Sequence, residues 1–96
     1  MTKLQDNPRV EFSSRFNIQL KQTPIEIKIA FRETLELFLE NPLHPQLRNH
    51  SLKDKYSGYN SIDITEDWRA LFHVRESKTQ KVITFHIFGT HIQLYG

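Results

Sequence analysis

Hydrophobic residues recur at helical spacing in the first half of the chain. The stripe consists of Ile27, Phe31, Leu35 and Phe38, and it ends at the Asn-Pro pair of residues 41–42. Proline stops a helix because it lacks an amide hydrogen and clashes with the preceding turn. The pattern therefore predicts a helix that buries this stripe in the core, and no cofactor is needed to explain it.

The start of this helix is predicted by the string TPIE at residues 23–26. Thr23 can accept a hydrogen bond from the amide three residues on, and Glu26 can return one to the cap. Pro24 suits the first helical position because its φ angle is already fixed near the helical value. We therefore expect a capping box at the helix start.

The segment before this helix is shorter and more polar. Residues 1–8 have no periodicity and predict a frayed terminus. A short strand is expected at about residues 9–12, and Ser13 or Ser14 can cap a first helix.

The second half of the chain has the composition of β-strands. Residues 59–65, 68–76 and 82–88 are rich in β-branched and aromatic side chains, and the polar residues 77–80 predict a hairpin turn. Residues 43–57 lack clear periodicity and predict a connecting loop. The expected order is strand, two helices, three strands.

Alternation within the strands assigns the two faces of the sheet. Ile62 and Ile64 share one face, whereas Ser61 and Asp63 lie on the other. We expect the N-terminal strand and two helices to pack on one face of an antiparallel sheet, leaving the other face for function. The fold class is α+β, with residues 1–96 as a single small domain.

Composition limits the classes of protein that fit. Ninety-six residues, of which 38% are hydrophobic, suffice for one compact core. The chain has no cysteine, which excludes disulfide scaffolds and thiolate metal sites and fits a reducing compartment. No window has the ~18 apolar residues of a membrane span, and no signal peptide is evident. We expect a cytoplasmic, soluble protein that does not bind membranes.

The distribution of charge gives moderate evidence for a basic surface. The formal net charge is +2 at pH 7, and basic residues cluster in the middle and second half of the chain. One basic side of the domain is plausible, although ordinary solvated loop charges would give the same pattern.

Two strings concentrate polar chemistry on the predicted sheet. They are SIDITEDWRALF at residues 61–72 and GTHIQLY at residues 89–95. Metal-free cleavage of RNA needs a base for the 2′-hydroxyl, a cation for the phosphoryl oxygens and an acid for the leaving 5′-oxygen. These strings and the loop before them contain such groups.

Candidates exist for each task. His50, Asp67 and His91 can transfer protons, because imidazole titrates near neutral pH and a carboxylate can act itself or orient an imidazole. The cation can come from Arg69, whose guanidinium matches phosphate oxygens. The remaining candidates are Arg48 and Lys53 as helper cations, and Trp68 or Tyr95 as a platform for a base.

Structural roles also suit some of these residues. Trp68 fits a core position, Asp67 can begin a turn, and Asp-Arg pairs within one hairpin are often structural ion pairs. His86 alternates with apolar neighbours and fits a structural histidine of the sheet. Five histidines invite a metal hypothesis, but no recognisable ligand spacing supports one, so no metal or other cofactor is expected.

Local matches along the chain resemble a known family. They are NHSLK at 49–53 with YSGY at 56–59, DWRALF at 67–72 and GTHIQLY at 89–95. With the order of elements, they resemble the RelE/YafQ-type toxins of bacterial toxin-antitoxin pairs, over residues 9–96. The last string is most similar to the YafQ branch.

The resemblance implies an mRNA interferase. Such a toxin enters the A site of the 70S ribosome, cuts the mRNA there, and is held inactive by an antitoxin encoded beside it. Four family positions match in this sequence: His50, Asp67, His91 and the C-terminal aromatic Tyr95. The YafQ pattern also has a histidine four residues before the aspartate, and here that position is Asp63, which could accept a proton or orient His50.

Two other functions remain open. A ParE-like toxin of the same fold would inhibit DNA gyrase by binding and would need no acid-base pair. A catalytically decayed member would keep only partner binding, and Asp63 is the residue that favours this reading. On either toxin hypothesis the partner is an acidic, partly disordered antitoxin segment that folds on binding.

Overall fold

The computed structural model describes residues 8–96, which form one five-stranded sheet with three helices. The strands are β1 (Arg9–Phe12), β2 (His50–Ser51), β3 (Asn60–Asp63), β4 (Trp68–Glu76) and β5 (Lys81–Thr90). The helices are α1 (Ser14–Lys21), α2 (Ile25–Glu40) and α3 (His91–Tyr95), with short 3-10 turns at Pro45–Leu47 and Asp54–Tyr56. The strand order is β1-β5-β4-β3-β2.

An aromatic core lies between the sheet and helices α1 and α2. Phe16 of α1 packs against Phe31 of α2 and Phe85 of β5, with ring centroids 5.4 and 5.6 Å apart. Phe38 packs on Phe72 at 5.0 Å. All five rings are buried, and each contributes about 2–3 kcal/mol through removal of its surface from water. The predicted stripe on α2 therefore faces the core.

The two helix starts differ from each other. Ser13 caps α1, because its hydroxyl accepts a hydrogen bond from Phe16 N at 3.0 Å. The capping box predicted for α2 is wrong: Pro24 occupies the cap position without a side-chain hydrogen bond. The hydroxyl of Thr23 makes its hydrogen bond backwards instead, donating to the carbonyl oxygen of Leu20 at 2.7 Å.

The sheet is mixed, because β1 pairs with β5 in parallel and the other pairs are antiparallel. A bulge interrupts β5: Leu71 pairs with Ile87 and Phe72 with Phe85, so His86 is an extra residue. The bulge reverses the alternation after His86. Ile87 consequently joins Leu71 in a second, smaller apolar cluster on the face away from α1 and α2.

The α+β fold class predicted from sequence is confirmed, with three features that the pattern did not indicate. The loop predicted at residues 43–57 contains β2, which adds a strand at the edge of the sheet. The string at 89–95 leaves the sheet after Thr90 and forms α3, whose Leu94 completes the second apolar cluster. The third is a correction: the expected antiparallel sheet with the N-terminal strand packed on its face is a mixed sheet, because β1 joins its edge in parallel pairing with β5. The frayed terminus predicted at residues 1–8 lies, apart from Pro8, outside the described residues.

None of the helices formed by residues 8–96 has the length and apolar character needed to cross a bilayer.

Candidate active site

A groove of about 290 Å³ lies on the sheet face that α1 and α2 leave open. It is formed where β2, the ends of β3 and β4, and α3 meet. Its lining residues are Arg48, His50, Leu52, Ser61, Asp63, Arg69, His91 and Tyr95. Two imidazoles, two guanidinium groups and one carboxylate therefore share one depression.

Asp63 holds both arginines of the groove. Its Oδ1 lies 3.1 Å from Nε of Arg69, the residue opposite on β4, and its Oδ2 lies 3.5 Å from Nε of Arg48. The side chains of Asp63 and Arg69 are 15% and 13% exposed, whereas that of Arg48 is 73% exposed. With two guanidinium groups against one carboxylate, the cluster has a net positive charge.

The guanidinium of Arg69 is fixed by further bonds. Its Nη1 donates to the carbonyl oxygens of Thr65, Glu66 and Trp68, at 2.9, 2.9 and 3.1 Å. These bonds close the turn between β3 and β4 around the side chain. A guanidinium has five N–H donors, and those on Nη2 take no part in these contacts. Arg69 is thus a rigid cation with part of its donor set available.

His50 is oriented by the main chain of the preceding turn. Its Nδ1 lies 2.7 Å from the carbonyl oxygen of Arg48. A carbonyl oxygen only accepts, so Nδ1 must carry the proton, and Nε2 of the neutral ring has the lone pair. Arg48 has a left-handed φ of 49°, so the main chain bends at this residue, just before His50.

His91 is placed by the start of α3. Thr90 and Gln93 form a capping box, and the amide of His91 donates to the carbonyl oxygen of Asp67 at 2.8 Å. The imidazole packs on Tyr95, one helical turn later, with ring centroids 4.8 Å apart. The exposed ring is therefore supported on one side and accessible on the other.

The groove brings together most of the residues proposed from sequence: Arg48, His50, Asp63, Arg69, His91 and Tyr95. Three lie outside it. Asp67 is exposed and contacts His91 through its main chain, and Lys53 is exposed before the second 3-10 turn. Trp68 lies on the opposite face of the sheet, stacked on Phe88 with centroids 5.4 Å apart.

Sequence reasoning did not select Ser61, which pairs with His50 across β2 and β3 and lines the groove. Its hydroxyl is buried without a hydrogen-bond partner among the described residues. The signal was present, since alternation places Ser61 on the same face as Asp63. Within residues 8–96, no three histidine, cysteine or acidic side chains are grouped so as to hold a metal ion.

The architecture is shared with solved structures of bacterial toxins. YafQ from E. coli strain BL21(DE3) superposes with a TM-score of 0.73 at 22% identity, covering 93% of this chain and 99% of that chain. The YoeB/ParE toxin from Agrobacterium tumefaciens gives a TM-score of 0.69 at 15% identity, with coverage of 86% and 98%.

A third similar structure is the E. coli DinJ-YafQ toxin-antitoxin complex, with a TM-score of 0.67 at 18% identity over 94% of this chain and 99% of that chain. No family model matches the sequence, and no curated protein matches it significantly. The likeness establishes the fold, and it confirms the RelE/YafQ-like architecture predicted from sequence.

Proposed function

We propose that this chain, built on the fold of YafQ and the YoeB/ParE toxin, is the toxin of a toxin-antitoxin pair and cleaves mRNA on the ribosome. One observation supports this most strongly: His50 and His91 lie in one groove with Arg48 and Arg69. Two proton-transfer groups beside two cations are what metal-free cleavage of a phosphodiester requires.

His50 is the proposed general base. Its Nδ1 is occupied by the Arg48 carbonyl, so Nε2 is available to remove the proton from the 2′-hydroxyl. The 2′-oxygen then attacks the adjacent phosphorus. The bond from phosphorus to the 5′-oxygen breaks, and His91 gives a proton to that oxygen. The products are a 2′,3′-cyclic phosphate and a free 5′-hydroxyl.

Arg48 and Arg69 are the proposed cations for the charge that develops on the phosphoryl oxygens. Arg48 is the more accessible, and Arg69 is the more rigid. Asp63 replaces the histidine expected by resemblance, and its negative charge is compensated by both arginines. In this proposal Asp63 orients the two cations.

The other sequence-predicted residues have peripheral roles in the proposal. Tyr95 supports the His91 ring and offers an aromatic edge to a neighbouring base. Asp67 positions His91 through its carbonyl oxygen, and Lys53 can contact the RNA backbone outside the groove.

The proposed partners are the 70S ribosome with its mRNA and a cognate antitoxin. A DinJ-YafQ toxin-antitoxin complex shares this fold. The net positive groove suits an acidic antitoxin segment that folds on binding and blocks the site. The proposed location is the cytoplasm, where translation takes place.

A second candidate is gyrase inhibition, because the fold is also that of a protein described as a YoeB/ParE toxin. A gyrase inhibitor would cause a DNA damage response and would tolerate the loss of both His50 and His91. An mRNA interferase would stop translation and would need at least one of them.

The test is a reconstituted translation reaction with one defined mRNA, with and without ribosomes. New RNA 5′ ends are mapped by primer extension after adding the purified protein. Cleavage within codons only when ribosomes are present is the expected result. Intact mRNA with continued translation would reject the proposal and favour gyrase binding or a catalytically decayed toxin.

A further inference from the structure

A second cavity, of about 420 Å³, lies at the same end of the sheet, between α1 and α3. We call it the α1–α3 cavity, and the side chains that define it are Arg15, Gln19, Gln22, Trp68, Phe88 and Gln93. His91 and Tyr95 of α3 line the groove, whereas Gln93 and Leu94 of the same helix line this cavity. Trp68 and Arg69 are neighbours on β4 that point to opposite faces, and α3 separates the two depressions.

Two glutamines in the α1–α3 cavity have fixed orientations. Oε1 of Gln19 accepts a hydrogen bond from Phe88 N, and Oε1 of Gln93 accepts one from Thr90 N, both at 2.8 Å. A main-chain N–H only donates, so the oxygen of each amide must face the strand. The NH₂ groups are thereby left as hydrogen-bond donors.

Other side chains of the wall are aromatic or cationic. Trp68 is half-buried and stacks on Phe88, which gives the cavity a flat apolar side. Arg15 adds a positive charge from α1, and no carboxylate is among the described residues that line the cavity. An aromatic plane edged by donors and a cation suits a planar ligand with acceptor atoms.

We propose that the α1–α3 cavity binds the base of a single ribonucleotide, with a preference for bases that have a carbonyl oxygen, such as uracil and guanine. The donors of Gln19 and Gln93 pair with the carbonyl oxygen, and Trp68 provides the stacking surface. Only the identification of this nucleotide as part of the RNA substrate rests on the proposed function. Occupation of the cavity itself does not.

Trp68 is the sole tryptophan of the sequence, so its fluorescence reports directly on this cavity. The intact protein is titrated with UMP, GMP, AMP and inorganic phosphate, none of which has an internucleotide bond to cleave. We expect saturable quenching by UMP and GMP, with weaker binding of AMP and of phosphate alone. Equal binding of all four, or no saturable change, would overturn the proposal.

Gln19→Glu is the decisive variant, because its carboxylate still accepts from Phe88 N while the donor group is lost. We expect the affinity for UMP to fall about tenfold, as for loss of one good hydrogen bond. Gln80→Glu adds the same charge in the exposed hairpin turn and should bind like the wild type. Unchanged binding in Gln19→Glu would contradict the proposal.

A second variant keeps the proposal testable if Gln19→Glu does not fold. Arg15→Gln removes an exposed charge from α1 and should weaken UMP binding about threefold, while Lys21→Gln on the same helix should not. If a hexaglutamate peptide quenched the fluorescence of Trp68 and the nucleotides did not, the proposal would be overturned and a protein ligand indicated.

The two proposals can fail separately. Nucleotide binding at Trp68 without any RNA cleavage would retain the cavity proposal and reject the nuclease. Ribosome-dependent cleavage that is unaltered by Gln19→Glu, together with no UMP binding, would reject the cavity proposal and retain the nuclease.

Discussion

Asp63 and Arg69 face each other across β3 and β4, and Oδ1 of the aspartate lies 3.1 Å from Nε of the arginine. Both side chains are largely buried, and the same carboxylate reaches Arg48 at 3.5 Å. The pair therefore links the turn after β3 to the two cations of the groove. Its removal should affect stability and nucleic-acid binding in opposite directions.

Asp63→Asn should lower the free energy of unfolding by about 2 kcal/mol, less than for a fully buried pair because solvent reaches both groups. RNA affinity should rise, since two guanidinium charges lose their counterion. Urea unfolding and binding of a short non-cleavable RNA measure the two effects. Glu76→Gln, which removes an exposed partner of Lys81, is the matched control and should change neither. Higher stability or weaker RNA binding in Asp63→Asn would refute the role of Asp63 as the counterion of the two arginines.

Arg48→Asn removes the charge of Arg48 and should leave its backbone conformation unchanged. Asparagine tolerates the left-handed φ of 49° better than arginine, so stability should stay within about 1 kcal/mol of the wild type. Affinity for single-stranded RNA should fall, and the slope of log affinity against log salt should become shallower by about 0.7 for one phosphate contact. Arg48→Lys keeps the charge and should keep the slope. An unaltered slope in Arg48→Asn would mean that Arg48 contacts no phosphate.

Gly89→Ala should displace α3. A Cβ at this position would lie 3.0 Å from Oε1 and 3.6 Å from Cβ of Gln93, and 3.6 Å from Cδ2 of Leu94. We expect a loss of about 1–2 kcal/mol in stability from overpacking, and a larger proportional loss of RNA cleavage because His91 moves with the helix. Thermal unfolding and cleavage rates would be compared. Full activity with full stability would show that α3 adapts without moving His91.

Stability should fall between pH 7.5 and pH 5.5 because of His86. Burial lowers its pKa, and the nearby positive charges of His73 and Arg75 lower it further. Just below pH 6.5 the unfolded chain therefore binds more protons than the native state. In that range the free energy of unfolding increases as the pH rises and decreases as the pH falls.

The same histidine lies against His73, with the two Nε2 atoms 2.8 Å apart and Tyr59 packed on both rings. One Nε2 must donate and the other accept, so protonating both rings breaks the contact. His86→Gln should flatten the pH dependence measured by urea unfolding, whereas His44→Asn at the distant 3-10 turn should leave it unchanged. An equally steep dependence in His86→Gln would assign it to other groups.

Local patterns were sufficient for α1, α2 and the long strands. The stripe that predicts α2 contains Phe31 and Phe38, which are buried as expected, although Ile29 on the same helix is 51% exposed. The β4 strand, Trp68–Glu76, has the bounds expected from its composition. These elements are long enough for hydrophobic periodicity to specify them.

Shorter and non-local features could not be found in this way. β2 has two residues and α3 has five, so neither is long enough for a hydrophobic pattern to repeat along it. The parallel pairing of β1 with β5 depends on residues far apart in sequence. The bulge at His86 breaks the strict alternation. Trp68 was a candidate platform for a base beside Arg69, although alternation already places adjacent residues of a strand on opposite faces of the sheet.

His50 and His91 act as base and acid in one groove in the proposed mechanism, and the rate of mRNA cleavage on programmed ribosomes measures how far cleavage depends on them. The double variant His50→Gln/His91→Gln should cleave at least about 10³-fold more slowly than the wild type, since each proton-transfer group contributes 10²-fold or more. The control His44→Asn, which keeps an acceptor for the amide of Gln46, should cleave normally. Cleavage by the double variant within about tenfold of the wild-type rate, below the contribution of even one such group, would mean that neither histidine transfers a proton in the reaction.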